Sequence, residues 1–233
     1  TPADVDATIR VRVTATNAAG DASADSGPTA QIAADPPVNT TLPSITGTVT
    51  DGETLTADVG AWTGTPTIAY DLQWRRCDGA GSGCTDIAGA TGSTYDLTPD
   101  DVGGTLRVYV IATNAGGDAD AESGPTPTVG AAIPSNTGDP SISGTTTDGE
   151  TLTADAGAWT GTPVITYAFQ WRRCDGAGSG CADIAGATGA TYDLTPEDIG
   201  SRLRVVVTAT NAAGDTDATS PASAVIAAIP PSN

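Results

Sequence analysis

The chain contains no histidine, no lysine and no methionine, only one phenylalanine, and aromatic residues make up 4% of its 233 positions. Each absence removes a class of chemistry. Without histidine there is no imidazole base, no Ser-His or Cys-His nucleophile and no ordinary zinc site. Without lysine there is no Schiff base and no Lys-to-Asn isopeptide cross-link. Any core must be built from Val, Ile, Leu and Ala, and the 38% hydrophobic content permits only modest cores. No apolar run reaches the roughly 18 residues of a membrane span, and the opening residues carry no signal-peptide pattern.

Positive charge is scarce too. The nine basic residues are all arginine, set against 28 acidic ones, for a net charge of -19. Such a surface repels phosphate backbones and anionic membranes, which disfavours nucleic acid and membrane insertion and suits solubility in the open or in salty water. Carboxylates clustered around one point would instead hold a divalent cation. The segment "LPSITG" at 42–47 is similar to a sortase anchor signal but has one residue too many and lies inside the chain, so it is read as coincidence.

What the chain does have is repetition. "WRRCDGAGSGC" occurs at 74–84 and, unchanged, at 171–181, and "DGETLTAD" at 51–58 returns at 148–155, each 97 residues on. "TPADV" at 1, "TPDDV" at 98 and "TPEDI" at 195 keep the same interval. A fixed period of this size marks a tandem array. The expected division is residues 1–36, the second part of one repeat; 37–133 and 134–230, two complete repeats; and 231–233, the start of a further join. The opening stretch matches only the latter part of a unit, and "AIPPSN" at 228–233 resembles "AAIPSN" at 131–136. A window from a longer array is the expectation. The joins at 33–43 and 131–140 carry proline and little bulk, which implies short, fairly stiff connectors.

Within a unit the pattern alternates with period two. "ETLTADVGAW" (53–62) sets Leu55, Ala57, Val59 and Ala61 on one face, and "IAYDLQW" (68–74) does so for Ile68, Tyr70, Leu72 and Trp74. "TLRVYVIATN" (105–114) turns Leu106, Val108, Val110 and Ala112 inward and Arg107 and Tyr109 outward. Turn signals such as "TDG", "WTGTP", "GATG" and "NAGGD" separate these runs, and "TPDDVG" offers a single helical turn. About seven short strands in a unit of this length describe a two-sheet sandwich.

These residues resemble a known family. "TYDLTPDDVGGTLRVYVIATNAGGD" (94–118) is similar to the E-F-G region of immunoglobulin-like domains, and "LQW" to strand C with its core tryptophan, Trp74 and then Trp171. The nearest likeness is to tandem bacterial Ig-like repeats of actinobacterial-type surface proteins. The resemblance implies an all-β chain of tandem Ig-like antiparallel β-sandwiches, beads on a string, with Trp74, Trp171, Val110 and Leu106 in the cores. The chain departs from the pattern at the inter-sheet disulfide, whose positions hold Ala57 and Val110, and at the tyrosine corner, where Val108 stands.

Four cysteines flank the two Gly-rich loops, Cys77 with Cys84 and Cys174 with Cys181. A metal clip would need about four ligands, and redox pairs usually sit in C-x-x-C at a helix start. A hairpin loop brings its ends together, so two disulfide staples are expected, in an oxidising and therefore extracellular setting. Arg75 and Arg76 beside the staple are expected to pair with Asp78 or Asp101. Trp62 and Trp159 either cap the end of the core or stack on a sugar. Asp118, Asp120 and Glu122 alternate along one strand and offer a calcium site, although the next unit has Asp215, Asp217 and Thr219 there. "NTT" at 39–41 matches an N-glycosylation sequon.

The functional expectation is a non-catalytic, extracellular structural segment, the stalk, spacer or fibre of a surface protein. Its partners would be neighbouring repeats and other copies in a filament. The alternative is an adhesin that recognises glycan or protein through many weak identical sites. An acid pair of the glycosidase type would need one carboxylate in an apolar surround, and none is evident.

Overall fold

A computed structural model of the chain describes residues 1–230; the expected start of a join at 231–233 lies outside them. Contacts divide the chain into two units. The first comprises Thr1–Val49, Glu53–Leu97 and Gly103–Thr128, the second Thr50–Gly52, Thr98–Val102 and Val129–Asn233. No helix among the described residues is long and apolar enough to cross a membrane.

The first unit opens with a hairpin of β1 (Arg12–Asn17) and β2 (Gly20–Asp25), whose strands pair antiparallel. It then builds a sandwich from β3 (Val38–Thr41), β4 (Ser44–Thr46), β5 (Thr54–Asp58), β6 (Ala61–Thr63), β7 (Ala69–Cys77), β8 (Thr85–Asp86), β9 (Thr94–Asp96), β10 (Thr105–Asn114) and β11 (Gly117–Glu122). One sheet has the order β4-β5-β9 and the other β11-β10-β7-β8, with β3 and β6 forming a short ribbon. The second unit repeats the plan in β12 (Ser135–Gly138), β13 (Ser141–Ser143), β14 (Thr151–Asp155), β15 (Ala158–Thr160), β16 (Thr166–Cys174), β17 (Ala182–Asp183), β18 (Thr191–Asp193), β19 (Arg202–Asn211) and β20 (Gly214–Thr219).

This strand order, with all neighbours antiparallel, makes each complete repeat an Ig-like β-sandwich. Its core follows from the alternation. On β10, Leu106, Val108, Val110 and Ala112 are fully buried, as are Leu55 of the opposite sheet and Trp74 of β7, which stands beside Val108 in the same sheet. Leu152, Ala154, Trp171, Leu203, Val205, Val207 and Ile226 form the matching cluster in the second unit. Ala57 and Val110, on opposite sheets, fill with hydrocarbon the place where the resemblance would have put a disulfide. A Thr98–Asp101 turn stands where one helical turn was expected, with Pro99–Asp101 as a 3-10 turn.

One expectation is corrected. Residues 53–62 are not a single strand: β5 ends at Asp58, and β6 leaves for the ribbon with β3. Gly60 lies between them at φ +78°, its N–H bonded to the Asp58 carboxylate at 2.8 Å. A Cβ there would collide with the Thr41 carbonyl, so only glycine lets the chain change sheets at this point.

The last strand of each sandwich closes on serine and threonine hydroxyls. The buried Val108 N–H donates to Ser123 Oγ at 3.0 Å, and Leu106 N–H to Thr126 Oγ1 at 2.9 Å. In the second unit Val205 and Leu203 donate to Ser220 Oγ and Ser223 Oγ at 3.0 and 2.9 Å. Ser220 Oγ in turn donates to the Pro221 carbonyl at 2.9 Å, so the hydroxyl uses both of its capacities. The Ser220→Ala variant should lose about 1–3 kcal/mol, the cost of stranding a buried donor. Urea unfolding checks this, and a loss below about 0.5 kcal/mol would mean that water replaces the hydroxyl.

Candidate functional site

Sequence repetition points to the loop after β7. Cys77 ends that strand and Cys84 precedes β8; the two are disulfide-bonded, as are Cys174 and Cys181, and no free cysteine occurs among the described residues. Between them Asp78 turns inward. Its Oδ1 accepts from the N–H groups of Ala80 at 2.9 Å and Ser82 at 2.8 Å, an Asx-type closure that Asp175 copies on Ala177 and Ser179. Gly81 and Gly83 take φ +79° and +62° to complete the turn. The Asp78 carboxylate is spent on the loop's own backbone, while Thr105 and Arg107 donate to the loop carbonyls of Asp78 and Gly81. Changing Cys77 and Cys84 together to alanine should lower stability by about 2.5 kcal/mol, the closure entropy of an eight-residue loop. Thermal unfolding of that variant against the parent provides the check.

Arg75 beside the staple is committed to carboxylates, though to neither Asp78 nor Asp101. Arg75 donates to Asp86 Oδ1 at 3.0 Å, Glu122 Oε1 at 2.7 Å and the Cys84 carbonyl at 3.2 Å. The bond to Glu122 leads in raising the Arg75 pKa above its ordinary value. The guanidinium also lies 5.9 Å from the Tyr109 ring centre. Arg172 keeps the partner Asp183 at 2.9 Å, while Thr219 stands in place of Glu122. Pairs this exposed contribute about 0–1 kcal/mol each.

The calcium expectation fares poorly at these positions. Asp118, Asp120 and Glu122 do line one face of β11, opposite Thr113, Ile111 and Tyr109. Glu122, however, accepts from Arg75 and lies 3.6 Å from Arg107, so it is neutralised by arginine. Among the described residues no three His, Cys, Asp or Glu side chains converge as metal ligands.

Trp62 and Trp159 are half-buried, and each indole N–H donates at 2.8 Å to a nearby carbonyl, of Val59 and Ala156. Each ring lies 6.2 Å from a tyrosine, Tyr70 or Tyr167, at the rim of the core. With the polar edge already used, both tryptophans close the end of the sandwich. Asn39 of the "NTT" sequon spends its amide on the carbonyls of Thr41 and Ala61.

Two groups organise each repeat, one of which the sequence offered, at Asp101, only as an arginine partner, as Arg173 and Asp198 are paired one repeat on. The first is a buried carboxylate. Asp198 is fully buried and accepts from Arg173 Nε at 2.7 Å, Tyr192 Oη at 3.0 Å, and Thr195 N and Oγ1 at 2.9 Å each. Burial alone would push its carboxyl up; the bonds from Thr195, Arg173 and Tyr192 outweigh that and hold it below the ordinary carboxylate range. Tyr192 is pushed up, first by burial and then by the Asp198 charge. Its ring packs 5.6 Å from Trp171, so core and ion pair share one scaffold. Asp101, 97 residues earlier, is equally buried and accepts from Thr98 N and Oγ1 at 2.8 Å each.

The second is the asparagine that ends β10 and β19. Asn114 Nδ2 donates to the carbonyls of Asp35 at 2.8 Å and Thr65 at 2.7 Å, and Asn211 Nδ2 to those of Ala132 at 2.7 Å and Thr162 at 2.9 Å. Asp35 and Ala132 lie in the joins. Each also pairs its own backbone N–H with the Thr65 or Thr162 hydroxyl, at 2.8 and 2.7 Å. The join before each sandwich is therefore bonded onto that sandwich. The A-x-N-x-x-G hairpin carried the signal, but its amide was read only as turn chemistry.

Two broad comparisons give no relatives: no family model matches the chain, and no curated protein does. Among solved structures, a three-Ig segment of titin in an E-to-A variant is 16% identical, covering 96% of this chain and 75% of that one, with a TM-score of 0.34. The three N-terminal domains of the outer capsid protein Hoc of bacteriophage RB49 are 13% identical over 90% of this chain and 76% of that one, with a TM-score of 0.29. The Ig-like assignment rests on strand order and on the tryptophan-centred core.

Proposed function

We propose that this chain is a structural segment of an extracellular protein, a stalk, spacer or fibre of the actinobacterial surface type, in which repetition itself is the function and no reaction is catalysed. The observation that carries the reading is the clamped join: Asn114 and Asn211 tie the connector to the sandwich that follows, which removes slack from a tandem array. The loops support it, since "DGAGSG" recurs unchanged, its aspartate closed on the loop's own backbone and its ends stapled. Two disulfides fit an oxidising compartment, and a charge of -19 suits a long exposed surface that does not associate at random. Assembly of copies into a filament extends the same reading.

Small-angle scattering on the chain and on an Asn114→Ala, Asn211→Ala variant tests it. The parent should give an extended, rigid profile and the variant a broader distribution of end-to-end lengths. A compact parent, or a variant with an unchanged profile, would count against a stalk. Glycan-array binding by the chain should be silent; specific binding there would favour the adhesin instead.

A further inference from the structure

The hairpin β1–β2 presents an apolar face that nothing in the structure covers. Ile9, Val11 and Val13 are 44%, 61% and 62% exposed. Their equivalents one repeat later are Leu106, Val108 and Val110, and one repeat beyond that Leu203, Val205 and Val207, all six fully buried. The hairpin is nonetheless already set in the geometry of a complete repeat. Ile9 and Val11 donate to Thr29 Oγ1 and Ser26 Oγ at 3.0 Å each, as the valines and leucines of the complete sandwiches do to their hydroxyls. In those sandwiches the covering element is always the same: the preceding strands, with the tryptophan strand in antiparallel register, Val108 opposite Trp74 and Val205 opposite Trp171.

A second observation, independent of the first, lies at Thr65. In the second unit the Thr162 hydroxyl donates to the buried Asp51 carboxylate at 2.6 Å, and Asp51 N–H donates to the Gly130 carbonyl at 2.9 Å. Asp51 is the centre of a T-D-G turn. The matching positions in the first unit, one repeat earlier, are Thr65 and Ala33. Both line a cavity of about 240 Å³, together with Thr1, Pro2, Val5, Ile32, Asp35 and Gly64. Where the second unit holds an aspartate against the Thr162 hydroxyl, the first holds a cavity with the matching Thr65 on its wall.

We propose that the β1–β2 face and the Thr65 cavity form one docking surface, and that its occupant is the first half of a repeat of this same kind, the strands from the "VNTTLPSITG" segment through "TYDL". Such a segment pairs its tryptophan strand with residues 9–16, covers Ile9, Val11 and Val13, and seats its T-D-G turn on Ala33 and Thr65. Both features are filled by one element in the complete repeats, which is why they point to one partner here. The surface is strand-complementing and selects by register, since a slip of one residue would turn the apolar row outward.

The test uses the whole chain, isotope-labelled at methyl groups, and an unlabelled polypeptide with the sequence of residues 37–97 as probe. Saturable binding should shift the methyls of Ile9, Val11 and Val13 and leave those of Val108 and Val205 in place. Val11→Asp should weaken binding by at least a hundredfold, and Thr65→Val by about ten- to a hundredfold, the loss of one hydrogen bond to a charged group. Val11→Asp should leave the thermal unfolding of the complete repeats unchanged, whereas Thr65→Val also removes the acceptor of the Asp35 N–H and is read against its own unfolding curve. The same polypeptide tethered ahead of Thr1 provides the second reading, with slowed amide exchange expected at Val11 and Val13. Unshifted methyls at 1 mM probe together with unprotected amides in the tethered form would overturn the proposal. So would binding that Val11→Asp leaves intact.

Discussion

Trp171→Ala should cost the second sandwich about 3–5 kcal/mol, the combined loss of transfer energy and of packing around the cavity left behind. The indole is fully buried, its N–H donates to the Gly189 carbonyl at 2.9 Å, and its ring contacts Tyr192. At about 4–8 °C per kcal/mol for a domain of this size, the thermal midpoint of the second repeat should fall by tens of degrees. Amide exchange on β19 reads the effect locally, and comparable exchange on β10 should stay slow. A midpoint shift under about 5 °C would mean that the core tolerates the cavity.

Asp198→Ala should cost about 2–4 kcal/mol, because it removes the buried acceptor shared by Arg173, Tyr192 and the amide and hydroxyl of Thr195. The same carboxylate makes stability depend on pH. Its pKa is lower folded than the ordinary value near 3.9 of an unfolded aspartate, so the unfolded state binds the proton more readily as pH falls. Its contribution is therefore whole above about pH 5 and drains away as the pH drops through the folded pKa. Urea midpoints between pH 7 and pH 2 should show this loss, and the Asp198→Asn variant should lack that portion of it. Equal acid sensitivity in parent and variant would assign the loss to other carboxylates.

Much of the architecture was legible because it is written in periodicities. Leu106, Val108, Val110 and Ala112 alternate without a break, so their strand could be placed and its inner face named. The disulfides were legible because a Gly-rich hairpin leaves the cysteines nowhere else to go. What stayed hidden depends on groups whose role is fixed only in three dimensions. Gly60 gave no sign that a strand changes sheets there, since the pattern of Val59 and Ala61 continues straight across it. Asp198 is one of 28 acidic residues, and nothing in the sequence marks it as the one that is buried beneath a tyrosine. Arg75 drew the wrong partner for a similar reason: Asp78 is near in sequence, but its carboxylate closes the loop, while Glu122 arrives from across the sheet.

The paired hydroxyls at the last strand have a consequence for how such a chain is made. Adjacent domains this alike in sequence are prone to exchange strands during folding, because a neighbour's segment fits as well as the domain's own. The register beside Val108 and Val205 is not a bare backbone ladder but a set of side-chain oxygens spaced three residues apart, interrupted by Pro125 and Pro221. An intruding strand that is out of step offers a carbon where the buried amide needs an acceptor. The hydroxyls therefore reject a strand that is out of register, but not an in-register copy from a neighbouring repeat, which carries the same pair at Ser26 and Thr29, Ser123 and Thr126, or Ser220 and Ser223.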